Sequence, residues 1–172
     1  RHGVAFRIWD ANLEGQLRLM EMAAQSSSAD SRNPGTDAWT RRSAKHLSAN
    51  LSALRSGELY RNPDRYRRAV KDLNRLLATA ARPFGVRLSL ADYEDERLSP
   101  VRSADLLQSA AAPEGNPFYP WFRARLPMLL SEFPVSHAGF SLNYLSQALT
   151  TFAMAGFLRR TFPGIRIILG GG

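Results

Sequence analysis

The feature that most constrains the fold is a strand–helix–strand pattern in the last third of the chain. Residues 136–142 form a short run of small and apolar side chains, which is typical of a buried strand. Residues 144–160 place apolar or small side chains on one helical face, and the β-branched run 165–169 predicts a second strand after the Pro163-Gly164 stop. Because a helical crossover of this kind joins parallel strands, the pattern predicts a βαβ unit.

Both ends of the chain have the character of the interior of a longer protein. The opening Arg1-His2-Gly3 is typical of a helix that ends in a glycine cap, and it leads into a predicted strand over residues 4–9. At the other end, the strand over residues 165–169 runs directly into Gly170-Gly171-Gly172. We therefore expect the chain to be an interior fragment of a longer protein.

The middle of the chain is predicted to be mainly helical. Helical spacing of apolar residues predicts helices over residues 13–25, 37–54, 64–81, 104–112 and 118–133. Residues 26–36 are rich in Ser, Pro and Gly and predict a loop, while residues 86–93 predict a short strand or extended arm. We expect residues 1–25 and 134–172 to form a partial α/β domain that carries residues 26–133 as a mainly helical insertion. A connection of that length is usually functional.

Composition excludes several classes of site. The chain has no cysteine, which removes disulfides, thiolate nucleophiles and any iron–sulfur cluster held by these residues alone. Its three histidines are too scattered for a closed metal site. The formal net charge is +8 at pH 7, but the arginines are spread along helix-like segments, so we attribute the charge to a solvated surface. Since no apolar run is long enough for a membrane span and no apolar signal segment opens the chain, we expect a cytoplasmic protein without a membrane partner.

Three predicted loops carry the candidate binding residues, because ligands of a parallel sheet bind beyond the carboxyl ends of its strands. These loops are Asp10-Ala11-Asn12, Ser141-Leu142-Asn143 and Gly170-Gly171-Gly172. The glycines allow a large ligand to lie against the backbone, and Ser141 and Asn143 stand at a helix N-terminus, where free N–H groups hold a phosphate or carbonyl. Asp10 offers a carboxylate to a hydroxyl or amide. No nucleophile and base stand together, so we expect a docking edge and assign no catalytic residue.

Each of these features also has a purely structural interpretation. Asp10 is equally typical of a helix cap, as are Ser141 and Asn143. The three glycines are also typical of a tight turn. The functional interpretation therefore depends on the three loops occurring together.

Four segments of the chain match the sequence pattern of a known family. They are Asn116-Pro117-Phe118-Tyr119-Pro120, residues 138–147 (AGFSLNYLSQ), residues 160–164 (RTFPG) and Ile168-Leu169-Gly170-Gly171-Gly172. Together they resemble the N-terminal cobalamin-binding region of cobalamin-dependent radical SAM proteins. The resemblance covers both ends of the chain well and the insertion only loosely, through residues 60–66. It implies a Rossmann-like parallel sheet of the cobalamin-binding type, incomplete in this chain, with the large mainly helical insertion.

The resemblance assigns the cobalamin contacts residue by residue. The family pattern runs Asp-x-His-x-x-Gly, then Ser-x-Leu, then Gly-Gly. Ser141-Leu142-Asn143 matches Ser-x-Leu with Asn143 in place of Leu, and Gly170-Gly171-Gly172 follows at about the family spacing. Residues 10–15 fit the first element with Asn12 in place of His, although a strand entered through Arg1-His2-Gly3 corresponds to the family's second strand. The first strand is then expected upstream, and no histidine of this chain is assigned to cobalt.

The resemblance also implies what the parent protein does. The family's radical chemistry needs a Cys-x-x-x-Cys-x-x-Cys motif, which this chain lacks. A radical SAM domain that binds a [4Fe-4S] cluster and S-adenosylmethionine is therefore expected after Gly172 in the same parent chain. The parent would use cobalamin as a methyl carrier or radical partner, for instance as a methyltransferase. This chain would hold the corrinoid and would not be catalytic alone.

Two other functions remain open from the residues alone. Another doubly wound nucleotide-binding domain, such as an NAD-type domain, would use Asp10 for a ribose, with a glycine-rich fingerprint upstream. A basic helical nucleic-acid-binding module would use a set of cations from two predicted helices: Arg41, Arg42, Lys45, Arg65, Arg67, Arg68, Lys71 and Arg75. Since those cations alternate with core positions along ordinary amphipathic helices, we do not expect nucleic acid to be the partner.

Overall fold

The fold combines helices with two small sheets in a computed structural model that describes residues 3, 5–29 and 37–171. Arg1, His2 and Val4, residues 30–36 of the predicted loop, and Gly172 of the predicted site lie outside the described residues. The helices are α1 (Ala11–Ala29), α2 (Ala38–Ser56), α3 (Pro63–Ala81), α4 (Ser103–Ala111), α5 (Tyr119–Glu132) and α6 (Ala148–Thr161). The strands are β1 (Val86–Leu88), β2 (Tyr93–Asp95), β3 (His137–Ser141) and β4 (Arg166–Gly170).

Side-chain caps fix where the second and third helices begin. The Asp37 carboxylate accepts the backbone N–H of Thr40 at 2.7 Å, and this bond is the main reason that the pKa of Asp37 lies below its usual range. Asn62 accepts the N–H of Arg65 at 3.1 Å, and Pro63 occupies the first helical position. Gly57 ends α2 in the left-handed conformation, with φ of 74°.

The first three helices pack together over a core of leucines. Leu73, Leu76 and Leu77 of α3 are almost completely buried, and Leu19 and Met20 of α1 pack into the same cluster. β1 and β2 form an antiparallel hairpin in which Val86 pairs with Asp95. The hairpin packs on α3 and covers the end of this bundle. α1 therefore packs mainly against α2 and α3, and it contacts α5 along a smaller surface.

α6 is the central helix of the second half, and small residues let α4 approach it closely. A Cβ built on Gly156 would stand 1.9 Å from the carbonyl oxygen of Ala110, a distance that no side chain tolerates. The Ser109 hydroxyl donates to the carbonyl of Leu149 at 2.7 Å across the same contact. Phe122 of α5, which is fully buried, packs against Phe157 with ring centroids 5.7 Å apart.

The predicted βαβ unit is confirmed. β3 and β4 are parallel and α6 connects them, with His137 opposite Arg166 at one end and Ser141 opposite Gly170 at the other. The backbone N–H of Arg166 donates to the carbonyl of Ser136, which closes the amino end of the ladder. The fold is thus mixed α and β. Within the described residues, the parallel sheet has two strands.

The strand predicted over residues 4–9 is wrong for the described residues 5–9, which have no regular secondary structure. Phe6 and Ile8 alternate with Ala5 and Arg7 as a strand would, but they are 76% and 84% exposed. A strand needs a partner for its N–H and C=O groups, and residues 5–9 pair with neither described sheet.

Three other boundaries differ from the sequence predictions. α1 continues to Ala29, past the predicted end at Gln25, and within this last part the Ser26 and Ser27 hydroxyls find partners inside the helix, since each donates to the carbonyl four residues back. Residues 86–93 hold one strand and the start of another, with a turn between them. The helix predicted from Tyr144 begins at Ala148, after a 3-10 turn over Leu145–Gln147.

None of the helices within the described residues combines the length and the apolar character needed to cross a membrane.

Candidate functional site

Two of the three predicted loops meet at the carboxyl end of the parallel ladder. The backbone N–H of Leu142 donates to the carbonyl of Gly170 at 2.7 Å, one position beyond the last strand pair, Ser141 with Gly170. This bond ties the loop after β3 to the end of β4. Ser141, Asn143 and Gly171 are all exposed at this edge. We refer to residues 141–143 with Gly170 and Gly171 as the carboxyl edge.

Glycine is required at position 171 and leaves open space at position 170. Gly171 has φ of 121°, and a Cβ there would lie 2.3 Å from the carbonyl oxygen of Leu142. By contrast, a Cβ added to Gly170 would meet nothing within 4 Å. The two glycines therefore have different roles: Gly171 allows two loop backbones to come into contact, and Gly170 leaves open space beside the backbone at the end of β4.

The free N–H groups expected after β3 are already engaged. The Gln147 side-chain oxygen accepts the backbone N–H of Asn143 at 3.2 Å and that of Tyr144 at 3.4 Å. The expectation that these two groups are free to bind an anion is therefore wrong, because Gln147 caps the turn from three positions downstream. The Ser141 hydroxyl donates to the Asn143 side-chain oxygen at 3.5 Å. The sequence analysis did not assign Gln147, because the capping-box signature has Ser, Thr, Asp or Asn three residues before the glutamine and this chain has Tyr144 there.

Exposed apolar side chains surround the polar edge. Tyr144 is 70% exposed and Leu145 is 55% exposed, just after the loop that follows β3. Ile168 of β4 is 56% exposed. An apolar ligand with a polar rim would find both kinds of contact here, which suits a large heterocycle more than a small ion.

Asp10 and Asn12 make their described hydrogen bonds within α1. The Asp10 carboxylate accepts the N–H of Leu13 at 2.9 Å and caps the helix, and Asn12 accepts the side-chain amide of Gln16 at 3.1 Å. No hydrogen bond among the described residues joins either side chain to the carboxyl edge. The structural interpretation of Asp10 as a cap is therefore confirmed, and its role towards a ligand stays a prediction.

A polar cluster that the sequence did not reveal joins the N-terminal segment to α5. Glu14 accepts the indole N–H of Trp9 at 2.6 Å, that of Trp121 at 3.4 Å and the Arg125 guanidinium at 2.9 Å. Burial opposes ionisation of Glu14, but these donors outweigh it and lower its pKa. The Trp9 and Trp121 rings pack 5.2 Å apart beside a groove of about 730 Å³ between α1 and α5. The cluster holds the segment in place of a strand pairing.

The described residues place no histidine at the carboxyl edge. His137 begins β3, so it stands at the opposite end of a five-residue strand, about 13 Å away. Its ring nitrogen Nδ1 lies 2.8 Å from the Ser136 hydroxyl. The described part of the chain also contains no group of three side chains suited to a metal ion. Among the described residues, the carboxyl edge therefore presents backbone groups, the Ser141 hydroxyl and the Asn143 amide.

The chain was compared with family models, with curated proteins and with solved structures, and none of the three comparisons found a match.

Proposed function

We propose that this chain binds cobalamin and that the corrinoid lies against the carboxyl edge of β3 and β4. The proposal rests on the sequence resemblance and on one structural observation. That observation is the open backbone at Gly170, beside a loop contact at Gly171 that excludes any side chain. The larger Rossmann-like sheet of the cobalamin-binding type is part of the same proposal.

The groups at the edge fit a corrinoid in its size and in its mixed polarity. The bare backbone at Gly170 allows the nucleotide tail or the ring rim to approach the strand end without a Cβ in the way. Ser141 and Asn143 offer a hydroxyl and an amide to the ring's amide side chains. Tyr144, Leu145 and Ile168 supply exposed apolar surface for the ring itself.

The proposed role of this chain's own residues is to bind and orient the corrinoid. When bound, cobalamin supplies a cobalt centre for methyl transfer or radical chemistry. Since no described histidine stands at the edge, the proposal assigns no protein ligand to the cobalt. Cluster chemistry needs cysteines that this chain does not have, so the proposal gives the [4Fe-4S] cluster and S-adenosylmethionine to a separate radical SAM domain of the parent protein.

The test is a titration of hydroxocobalamin into the natural full-length protein, followed by the visible spectrum. Gly170→Val is the informative variant, because the Cβ that it adds meets nothing within 4 Å in the fold and the side chain would project into the space proposed for the ligand. Gly164→Val is the matched control: Gly164 is also exposed, also has open space, and precedes the other end of β4. We expect a shifted spectrum on binding, and an affinity that Gly170→Val lowers at least about tenfold while Gly164→Val leaves it unchanged.

Two results would overturn the proposal. One is a protein whose addition does not change the cobalamin spectrum. The other is an equal loss of affinity in the two glycine variants, because the ligand would then lie elsewhere. A parallel titration with NADH distinguishes the NAD-type alternative, which predicts nicotinamide binding that responds to Gly170→Val.

A further inference from the structure

The positive charge of the chain is concentrated on the α2–α3 hairpin. Residues 37–75 contain ten of the 23 lysines and arginines but only four of the 15 acidic residues. One of those four, Asp72, is buried, and another, Asp37, pairs with Arg75. The hairpin therefore exposes far more positive than negative charge.

Polar contacts fix how the two helices lie against each other. Asp72 accepts the indole N–H of Trp39 at 3.0 Å and the hydroxyl of Ser43 at 3.2 Å. The Arg75 guanidinium donates to the Thr40 hydroxyl at 2.9 Å and lies 5.1 Å from the centre of the Trp39 ring. These contacts place the start of α2 beside the second half of α3, with the helices antiparallel.

This register aligns cations on one outer face. Arg42 follows Trp39 by three residues and Lys71 precedes Arg75 by four, so both continue the face that the Trp39–Arg75 contact begins. Arg67 and Arg68 extend it by one further turn. We call Arg42, Arg67, Arg68 and Lys71 the cationic face. All four side chains are exposed. The cationic face runs for about 10 Å along the hairpin.

Few acidic side chains form ion pairs with these cations. Arg42 and Lys71 form no ion pair with any residue in the described part of the chain. Arg68 donates to the backbone carbonyl of Asp64, and Arg67 reaches the Asp64 carboxylate at 3.8 Å in an exposed pair. Such a surface pair contributes little, so most of the face's charge remains open to an external anion.

A rigid aromatic ring stands at one end of the cationic face. Trp39 is 46% exposed, yet its indole N–H is bonded to the buried carboxylate of Asp72. An exposed tryptophan that is held in one orientation beside an arginine is a surface on which a nucleobase can stack. Phosphates on the cations and a base on the ring would satisfy both features at once.

Contrary to the expectation from the sequence alone, we propose that the α2–α3 hairpin binds single-stranded nucleic acid, with the phosphates on the cationic face and a base on Trp39. The face disfavours the other polyanions. A lipid surface would call for a row of aliphatic side chains to insert, whereas the exposed large apolar side chains of the hairpin are aromatic: Trp39, and Tyr60 and Tyr66, which pack on each other. An acidic peptide would leave the fixed ring without a role. The observations are independent of the carboxyl edge and of the proposed cobalamin binding.

Fluorescence anisotropy of a labelled oligo-dT of about 12 nucleotides tests the proposal on the chain and its variants. Arg42→Gln with Lys71→Gln should weaken binding about tenfold near 0.1 M salt and make the slope of log affinity against log salt shallower by about 1.4. The control, Arg102→Gln with Arg159→Gln, removes the same charge from exposed sites outside the hairpin and should change neither quantity.

The ring is tested by two variants that both lose the bond to Asp72. Trp39→Phe keeps an aromatic ring and Trp39→Leu does not. The ratio of their affinities for the oligonucleotide therefore measures base stacking separately from the loss of packing and of the Asp72 bond. We expect Trp39→Leu to bind at least about fivefold more weakly than Trp39→Phe. The proposal is overturned by the absence of oligonucleotide binding, by equal binding of the matching duplex, or by equal effects of the two charge pairs. It is also overturned if vesicles of phosphatidylcholine and phosphatidylserine bind the hairpin and oligo-dT does not, or if the Trp39 variants are equal.

Discussion

The βαβ unit and the α2–α3 hairpin are held together in opposite ways. Around the βαβ unit, backbone meets backbone: Gly156 of α6 lies against Ala110 of the neighbouring helix α4, and Gly171 lies against Leu142. In the hairpin, side chains fix the register through a buried carboxylate, Asp72. The first arrangement leaves exposed backbone at an edge, and the second leaves exposed charge on a face. The difference shows where each half of the molecule has surface available for a ligand.

The largest effect is expected where the close approach of α4 and α6 is blocked. Gly156→Ala would place a methyl group 1.9 Å from the carbonyl oxygen of Ala110, so the helices must separate. We expect a loss of about 3 kcal/mol in the free energy of unfolding, measured by urea denaturation. Gly115→Ala is the control, because its Cβ meets nothing within 4 Å. Equal stability of the two variants would show that the close backbone contact does not hold α6 against α4.

A smaller loss is expected when the polar register of the hairpin is removed. Asp72→Ala leaves the Ser43 hydroxyl, which is completely buried, and the Trp39 indole without this acceptor. We expect a loss of about 2 kcal/mol in the same denaturation experiment. Asp64→Ala, on the exposed first turn of α3, should lose less than about 1 kcal/mol. If both variants lost the same amount, Asp72 would not determine the register.

The Glu14 cluster should make stability depend on pH. Because the pKa of Glu14 is lowered in the fold, its stabilising contribution is complete above its ordinary value of 4.5. It is lost as the pH falls through the lower folded pKa. Glu14→Gln should therefore cost about 1 kcal/mol at pH 7, a figure that already allows for partial exposure, and less in acid. Unfolding of both proteins at several pH values measures this, and a difference that does not change with pH would contradict the assignment.

The smallest expected change in the free energy of unfolding is a gain in stability. Arg42→Gln with Lys71→Gln relieves repulsion on the cationic face, so the protein should become more stable by a few tenths of a kcal/mol at low salt. Thermal unfolding at low salt and near 1 M salt measures this, and the gain should vanish in high salt. A loss of stability at low salt would mean that these cations have stabilising partners.

The elements that the sequence predicted well are those with strong local signals. Asn62 and Pro63 mark the start of α3, and the periodicity of α6 between two β-branched or small-residue runs predicts the parallel pair. The meeting of Leu142 with Gly170 follows from the rule that parallel strands share a carboxyl edge.

The elements that the sequence did not predict depend on tertiary partners. Residues 5–9 have strand-like alternation, but Trp9 packs on Trp121 and bonds to Glu14, which lies five residues away. Local pattern cannot show which partner a segment finds. The four cations of the cationic face were named from the sequence, but their alignment could not be predicted, because the position of Arg42 beside Lys71 depends on Asp72 setting the register between two helices.

Hydrogen exchange on binding of hydroxocobalamin tests the central claim most directly. The measured quantity is the exchange rate of backbone amides in the natural full-length protein, with and without the ligand, read by mass spectrometry of peptides. The account predicts slower exchange in peptides that cover residues 141–147 and 170–171, and no change over α2 and α3. Unchanged exchange at residues 141–147 and 170–171 in the presence of bound cobalamin would contradict it.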